Sequence, residues 1–236
     1  MVLYALLLII DIISLVVFLR FRLQTNSVKA CMLKGFTSIV FVAMGAAAAG
    51  HALGQEKFAF ALFILVGLVG GLMGDVWLDL KWIYPSDNDS YTFAGFGAFM
   101  LGHLVYIAAL LIYYADWSKP LYVIIPIIIA ALVAGGMLVL EKPMKMNYGK
   151  FKVITVIYSA ILTYMTFLSG SLALMDRFET RTTVIMFIGG VFFMISDLIL
   201  SGTYFGEGKN RPVDIVTNHV TYYVAQMLIA TSLLFI

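Results

Sequence analysis

Two carboxylates lie inside apolar stretches of the chain, where a charge facing lipid would be costly. Asp75 stands in the segment GLVGGLMGDVWL and Asp197 in GGVFFMISDLIL. An ionisable side chain within a transmembrane helix is expensive unless it faces protein or a water-filled interior, and it usually marks a functional site. Two such residues in nearly matching contexts are predicted to share one cavity. Their chemistry would be proton transfer, in which one carboxyl donates a proton while the other stays ionised.

The composition indicates which elements position these carboxylates. Of the 236 residues, 62% are hydrophobic and only 12% are charged, which is outside the range of soluble domains. A helix needs about 20 apolar residues to cross the hydrocarbon layer. About eight stretches of that length predict an all-α, polytopic transmembrane bundle, and they cover roughly 2–20, 30–53, 58–80, 92–114, 120–140, 150–174, 181–203 and 213–236.

Nearly every residue lies in or beside one of these spans, so residues 1–236 are expected to form a single transmembrane domain. The first stretch has no basic segment before it and no small-residue cleavage site after it. It is therefore interpreted as a retained helix and not as a signal peptide.

The distribution of basic residues predicts the orientation of the bundle. The connections after the first, third, fifth and seventh spans hold eleven Lys and Arg residues, and the opposite side holds four. Because basic loops stay in the cytoplasm, both termini are expected on the non-cytoplasmic side of a bacterial cytoplasmic membrane, or of the endoplasmic reticulum in a eukaryote. The eleven residues are Arg20, Arg22, Lys29, Lys34, Lys81, Lys142, Lys145, Lys150, Lys152, Lys209 and Arg211.

Charge and cysteine content exclude several other classes of function. A net charge of +2 is too small to predict a nucleic-acid partner, and the clustered basic residues are explained by topology and by anionic lipid headgroups. The single cysteine, Cys31, can form neither an intrachain disulfide nor a thiolate metal cluster.

Further polar residues are predicted near the depth of the two carboxylates. Asp79 follows Asp75 by four residues and shares its helix face, although its place at the helix end also favours an interfacial cluster. His103 lies near the middle of the fourth span, where an interhelical hydrogen bond is as compatible with the sequence as catalysis. Asp11 interrupts the first span and is equally compatible with a structural role. The eighth span contributes the remaining polar groups, which are Asn218, His219, Tyr222, Tyr223 and Gln226.

Four segments of the chain resemble the YhhN family of eight-span membrane proteins, which includes the lysoplasmalogenases. They are GDVWL, FMLGHLVY, FFMISDLIL and YYVAQMLIA, in that order over most of the chain. Two departures from the family pattern occur. Gly35 follows Lys34 where members often have Lys-Pro, and Ser201 replaces the alanine of SDxxLA.

The resemblance implies hydrolysis of the vinyl ether bond of a lysoplasmalogen, which gives a fatty aldehyde and glycerophosphocholine or glycerophosphoethanolamine. A vinyl ether is hydrolysed by protonation of its β-carbon, after which water adds to the oxocarbenium ion. We favour Asp197 as the acid and Asp75 as the anionic partner, by analogy with the paired carboxylates of glycosidases; the reverse assignment stays open.

The resemblance also implies supporting roles. The groups expected to orient substrate or water are His103, Tyr223, Gln226, Ser196, Asp79 and His219. Lys34, at the inner membrane surface, is expected to meet the phosphate of the headgroup. The expected partners are a lysophospholipid substrate and membrane lipid, and neither a cofactor nor a metal is implied.

Three alternatives fit the same residues. Asp75, Asp197, His103 and His219 could bind the metal of a membrane hydrolase, although the chain has no compact ligand motif such as HExxH. A proton-coupled transporter or channel would use the intramembrane carboxylates as relays, although no clear inverted repeat is visible. The third alternative is a non-catalytic lipid-binding protein.

Overall fold

All the long apolar stretches form helices in the structure, a computed structural model that describes residues 2–24, 27–207 and 210–236. The described chain contains no β-strand, so the predicted all-α, polytopic bundle is confirmed. Seven of its helices are long and apolar enough to cross a membrane. The eight α-helices are α1 (Val2–Arg22), α2 (Val28–Ala49), α3 (Phe58–Ile83), α4 (Asn88–Tyr113), α5 (Leu121–Leu140), α6 (Lys152–Met175), α7 (Arg181–Phe205) and α8 (Pro212–Ser232).

The helix outside that group of seven is α8, which carries Asn218, His219 and Gln226 along its length. It nevertheless packs inside the bundle, against α7, α2, α3 and α1. Asn218 and Gln226 are buried there. The low hydropathy of α8 therefore reflects a polar face that is turned toward the protein interior.

Six of the helices form a closed ring. In the order α2, α3, α4, α6, α7 and α8, each helix packs against the next, and α8 packs back against α2. α1 lies outside this ring against α2 and α8, whereas α5 lies outside it against α6. Polar groups from α2, α3, α7 and α8 can therefore meet inside the ring.

The two helices that pack most closely are α3 and α4, which approach each other through glycines. A Cβ built on Gly102 would lie 2.9 Å from the carbonyl oxygen of Gly67, and one on Gly70 would lie 3.1 Å from the Cα of Gly102. Small residues of this kind let the backbones of membrane helices come into contact. The contact fixes α3, and with it Asp75, against α4.

Hydrogen bonds between distant segments define the two ends of the bundle. The hydroxyls of Tyr4 and Thr231 are 2.6 Å apart, so the beginning of α1 and the end of α8 lie at the same end. At the other end, the backbone N–H of Asn147 donates to the carbonyl oxygen of Phe205 over 2.8 Å, which joins the α5–α6 and α7–α8 connections. This second end carries the basic connections; Lys209, one of the basic residues counted above, lies outside the described residues.

Candidate active site

A chain of four alternating charges crosses the interior at the basic end of the bundle. Arg22, at the end of α1, forms an ion pair with Asp79 of α3. Lys34, in the second turn of α2, reaches both Asp79 Oδ1 over 3.3 Å and Asp75 Oδ1 over 3.1 Å. All four side chains are buried. Each buried charge therefore has an opposite charge beside it, as burial in a low-dielectric interior requires.

Asp75 is held by side chains from two neighbouring helices. Its Oδ2 accepts a hydrogen bond from Ser38 Oγ over 2.6 Å and another from the Tyr222 hydroxyl over 2.7 Å. Its Oδ1 faces the ammonium group of Lys34. Only 2% of Asp75 is exposed. Partners from α2 and α8 thus hold this α3 carboxylate in one orientation.

Tyr222 is held in turn by the next polar residue along α8. Gln226 donates from Nε2 to the Tyr222 hydroxyl over 3.0 Å. A Cβ on Gly71 would lie 2.4 Å from that same Nε2 atom, so only a glycine at this position of α3 leaves room for the amide. The hydroxyl of the adjacent Tyr223 lies 3.2 Å from the backbone carbonyl oxygen of Lys34 and 3.1 Å from Ser38 Oγ, which donates to Asp75. The predicted residues Gln226 and Tyr223 therefore support the carboxylate and its cation from behind.

A cavity of about 850 Å³ opens beside this polar cluster and contains both of the predicted carboxylates. Asp75 lines it from α3, and Asp197 lines it from α7. Asp197 accepts a hydrogen bond from the hydroxyl of Tyr158 on α6. Within the described ranges, no ion pair reaches Asp197. The two carboxylates therefore share a cavity but have different surroundings, because only Asp75 is paired with a cation.

Ser196 and Asn218 join the two helices beside Asp197. Asn218 Nδ2 lies 2.8 Å from the carbonyl oxygen of Ser196 and 2.9 Å from its Oγ, while that hydroxyl donates back to the Asn218 carbonyl over 3.0 Å. Asn218 and Ser196 also line the cavity. This paired contact fixes α7 to α8 at the level of the carboxylates.

The structure does not bring His103 into the cavity. Its ring packs against Phe193, with centroids 4.7 Å apart, and Phe193 packs on Tyr222, with centroids 5.3 Å apart. His103 Nδ1 lies 2.7 Å from the carbonyl oxygen of Phe99. Its Nε2 atom and the Tyr106 hydroxyl are buried with no hydrogen-bond partner among the described residues. His103 is thus separated from the carboxylates by aromatic rings.

His219, in contrast, lines the cavity. Its Nδ1 lies 2.8 Å from the carbonyl oxygen of Ile215, one helical turn earlier. Its ring packs edge-on against Phe18 of α1, with centroids 5.0 Å apart. The imidazole is therefore oriented by its own helix and by α1.

A metal hydrolase, one of the alternatives that the sequence leaves open, would need several metal-ligating side chains close together. In the parts of the chain that the structure describes, no three His, Cys, Asp or Glu side chains are grouped so that they could hold a metal ion. Of the two histidines of the proposed metal shell, His219 lines the cavity and His103 does not. The four residues named for that shell do not converge.

The cavity mouth is closed on one side by the α5–α6 connection, which contributes Met144, Met146 and Tyr148 to its lining. Glu141, immediately after α5, holds this connection by accepting hydrogen bonds from Lys152 Nζ over 2.7 Å and from the backbone N–H of Tyr148 over 3.3 Å. The hydrogen bond from Lys152 lowers the pKa of the Glu141 carboxyl below its ordinary value. This charged contact thus holds the α5–α6 connection beside the cavity.

Several residues of the site are not predicted by the sequence. The sequence indicates Arg22 only as a basic residue of a connection, and it gives no indication of Tyr158. Ser38 follows Lys34 by four residues and therefore shares its helix face, which is a signal that could have identified it. The sequence does indicate Asp11, but this residue does not line the cavity. It is fully buried, and both its carboxyl oxygens lack a hydrogen-bond partner within the described chain.

Comparisons with known proteins give one match. Residues 28–233 match the sequence model of the YhhN family. That range contains α2 to α8 and every residue of the site except Arg22. No protein of curated function and no solved structure matches the chain.

Proposed function

Because the chain belongs to the YhhN family, we propose that it is a membrane-embedded hydrolase that cleaves the vinyl ether bond of lysoplasmalogens. The observation that carries this proposal is the pair formed by Asp75 and Asp197, which line one cavity in different surroundings. The products would be a fatty aldehyde and glycerophosphocholine or glycerophosphoethanolamine. The reaction needs an acid, an anion and a water molecule, and the two carboxylates of the cavity are the groups that we assign to the first two roles.

The proposed reaction has three steps. A proton moves from a carboxylic acid to the β-carbon of the vinyl ether, and the C=C π electrons form the new C–H bond. The α-carbon becomes an oxocarbenium ion, to which water adds with loss of a proton to a carboxylate. The hydroxyl of the resulting hemiacetal loses its proton as the C–O bond to the glycerol breaks. The glycerol oxygen takes up a proton and leaves, and an aldehyde remains. Water is the only co-reactant, and protons are conserved overall.

We assign Asp197 as the proton donor. No cation pairs with it in the described part of the chain, and its only side-chain hydrogen bond there comes from Tyr158. A carboxyl in an apolar setting without a cation favours its neutral, protonated form. Such a group can protonate carbon, which a carboxylate cannot do.

We assign Asp75 as the anionic partner. The two hydrogen bonds to Oδ2 and the Lys34 ammonium group at Oδ1 all favour the ionised form. A fixed negative charge beside the oxocarbenium ion stabilises the charge that develops in the transition state. In this arrangement Lys34 serves mainly to keep Asp75 ionised. The phosphate of the headgroup would meet the basic end of the cavity, whose lining includes Arg22, Lys34 and Asn210.

The test is aldehyde release from a lysoplasmalogen by purified protein in detergent. Asp75→Asn and Asp197→Asn are each expected to lower the turnover number by at least about 10²-fold, the usual contribution of a positioned acid or base. Asp89→Asn, which alters an exposed ion pair with Lys150 outside the cavity, serves as the matched control and should retain wild-type turnover.

The outcomes separate the alternatives. Turnover that resists a chelator supports carboxylate chemistry, whereas turnover that a chelator abolishes would replace it with a metal mechanism. No release by well-folded wild-type protein, with both choline and ethanolamine substrates, would overturn the proposal. Solute or proton flux measured in liposomes would then decide in favour of transport.

A further inference from the structure

The cavity does not end at the carboxylates but continues as a groove along α6. The residues of α6 that line it include Thr155, Ser159, Thr163 and Phe167, which recur every four residues and so form one row on the helix surface. At 1.5 Å per residue, the row is about 18 Å long. Since α6 is 24 residues long and begins at Lys152, the groove reaches from the basic end to the middle of the helix.

The walls of this groove come from the two helices that flank α6. α5 contributes Val133, Gly136 and Met137, and α7 contributes Val191 and Ile195, among others. These wall residues carry no charge and no side-chain hydrogen-bonding group. The walls of the groove are therefore apolar, whereas its floor on α6 includes the hydroxyl-bearing Thr155, Ser159 and Thr163. Its inner end meets the polar chamber at Asp197 and Tyr158.

The groove is open to the lipid side of the bundle. Ile195 is 43% exposed and Leu198 is 66% exposed, yet both line the cavity. α5 and α7 each pack on α6. Exposed apolar side chains in membrane-spanning helices face lipid. A molecule in the bilayer can therefore enter the cavity sideways, between α5 and α7.

We propose that this groove binds the single hydrocarbon chain of the substrate, which enters laterally from the bilayer and places its first carbons beside Asp197. The inference rests on the proposed function and adds to it the binding site of the chain and the route of entry. The occupant follows from where the polar and apolar residues of the cavity lie. A charged and polar chamber joined to a groove with apolar walls matches an amphiphile with one polar head. The total volume of about 850 Å³ is that of a site for one ligand of moderate size.

In a membrane, shape and not hydrophobicity must select this chain. Lipid tails are as apolar as the leucine and isoleucine side chains of the groove, so transfer from the bilayer gives little driving force. Binding then depends on how well the chain fits between the walls. A bulky side chain that enters the groove should therefore block the chain without changing the polarity of the site.

Gly136 offers a position for such a block. It lines the cavity, and a Cβ built on it meets no atom within 4 Å. Gly135, the preceding residue, is equally free of neighbours at its Cβ position. It is exposed and does not line the cavity. The two glycines thus form a matched pair on one helix, and only one of them faces the groove.

The experiment compares Gly136→Phe with Gly135→Phe, both checked for monodispersity and melting temperature in detergent. The probe is a non-hydrolysable single-chain alkyl ether glycerophosphocholine that carries a photoactivatable diazirine at the end of its chain. In wild type and Gly135→Phe, cross-links are expected on α6 between 159 and 167 or on the facing part of α5. In Gly136→Phe the yield should fall at least tenfold. Equal labelling in both variants, or labelling confined to other helices, would overturn the proposal.

A turnover assay separates this inference from the proposed function. Gly136→Phe should raise KM at least tenfold for a long-chain lysoplasmalogen and much less for a vinyl ether with a very short chain, whereas Gly135→Phe should behave as wild type for both. Specific cross-linking in a protein that never releases aldehyde would support the groove and refute the hydrolase. Aldehyde release that is unaffected by Gly136→Phe would support the hydrolase and refute the groove.

Discussion

Lys34 Nζ lies 3.1 Å from Asp75 Oδ1, so a cation from α2 forms an ion pair with the carboxylate of α3 inside the bundle. Both side chains are less than one-tenth exposed. Removing one partner of a buried pair leaves an uncompensated charge, which costs more than the pair itself contributed. This relationship makes the α2–α3 contact sensitive to any change at either position.

Lys34→Met is therefore expected to destabilise the protein by about 3 to 5 kcal/mol, as is typical when one partner of a buried pair is lost. The measurement is the free energy of unfolding in detergent. The double variant Lys34→Met/Asp75→Asn should recover part of this loss, because it removes the carboxylate that was left alone, while Asp79 keeps Arg22. Strictly additive losses in the double variant would contradict the coupling.

Tyr222→Phe tests the hydrogen bond that orients Asp75. The variant loses the 2.7 Å hydrogen bond to Oδ2 and leaves Gln226 Nε2 without its acceptor. A hydrogen bond to a charged group contributes about 1.5 to 3 kcal/mol, so turnover should fall by roughly 10- to 100-fold.

The matched control for Tyr222→Phe is Tyr4→Phe, whose hydroxyl bonds Thr231 at the opposite end of the bundle. Aldehyde release should be reduced in the first variant and near wild type in the second. Equal activities of the two variants would mean that Tyr222 does not position the carboxylate.

Gly102→Ala tests the close approach of α3 and α4. The added methyl group would meet the carbonyl oxygen of Gly67 at 2.9 Å, and because this atom belongs to the backbone it cannot rotate away. We expect destabilisation of about 1 to 3 kcal/mol, measured by thermal unfolding. Gly97→Ala on the same helix meets no atom within 4 Å and should be neutral or slightly stabilising. Indistinguishable melting temperatures would rule out a packing role for Gly102.

The contact between Glu141 and Lys152 predicts that the stability of the folded protein depends on pH. Hydrogen bonding to Lys152 lowers the pKa of Glu141 in the folded protein. The ionised Glu141 carboxylate therefore contributes fully to the stability of the folded protein above the ordinary glutamate pKa of about 4.3. This contribution is lost as the pH falls through the lowered pKa that Glu141 has in the folded protein. The melting temperature of wild type should exceed that of Glu141→Gln near neutral pH.

This difference should shrink as the pH falls below the ordinary pKa of about 4.3 and disappear only below the lowered pKa of the folded protein. Glu56→Gln, at an exposed acid in the α2–α3 connection, is the control and should show no such pH-dependent difference. A gap between wild type and Glu141→Gln that stayed constant through the acid range would exclude a contribution from the charge of Glu141.

The sequence was sufficient for the helices and for the shared cavity of Asp75 and Asp197. Apolar runs of span length predict transmembrane helices with few alternatives, and a carboxyl in such a run must face the interior. The partner of Arg22 could not be predicted in this way, because Asp79 lies 57 positions further along the chain. Which cation finds which carboxylate depends on how α1, α2 and α3 pack.

The position of His103 shows the same limit. Its depth in α4 placed it near the carboxylates, but depth does not specify the direction in which a side chain points around the helix. In the structure Phe193 lies between the imidazole and Tyr222. The assignment of His103, Tyr223 and Gln226 to the orientation of water or substrate stays a prediction. The geometry favours a role for Tyr223 and Gln226 in holding Lys34 and Tyr222 in place.

The alternating chain of Arg22, Asp79, Lys34 and Asp75 also has a consequence for biosynthesis. Both cations precede both carboxylates in the sequence, so a ribosome completes α1 and the start of α2 before it makes α3. An isolated aspartate at the centre of a helix resists insertion by about 2.5 to 3.5 kcal/mol. When α3 leaves the ribosome, the charges that compensate its aspartates have already been made. The order of the charges along the chain thus suits an insertion in which α1 and α2 enter the membrane first and supply the cations that pair with the aspartates of α3.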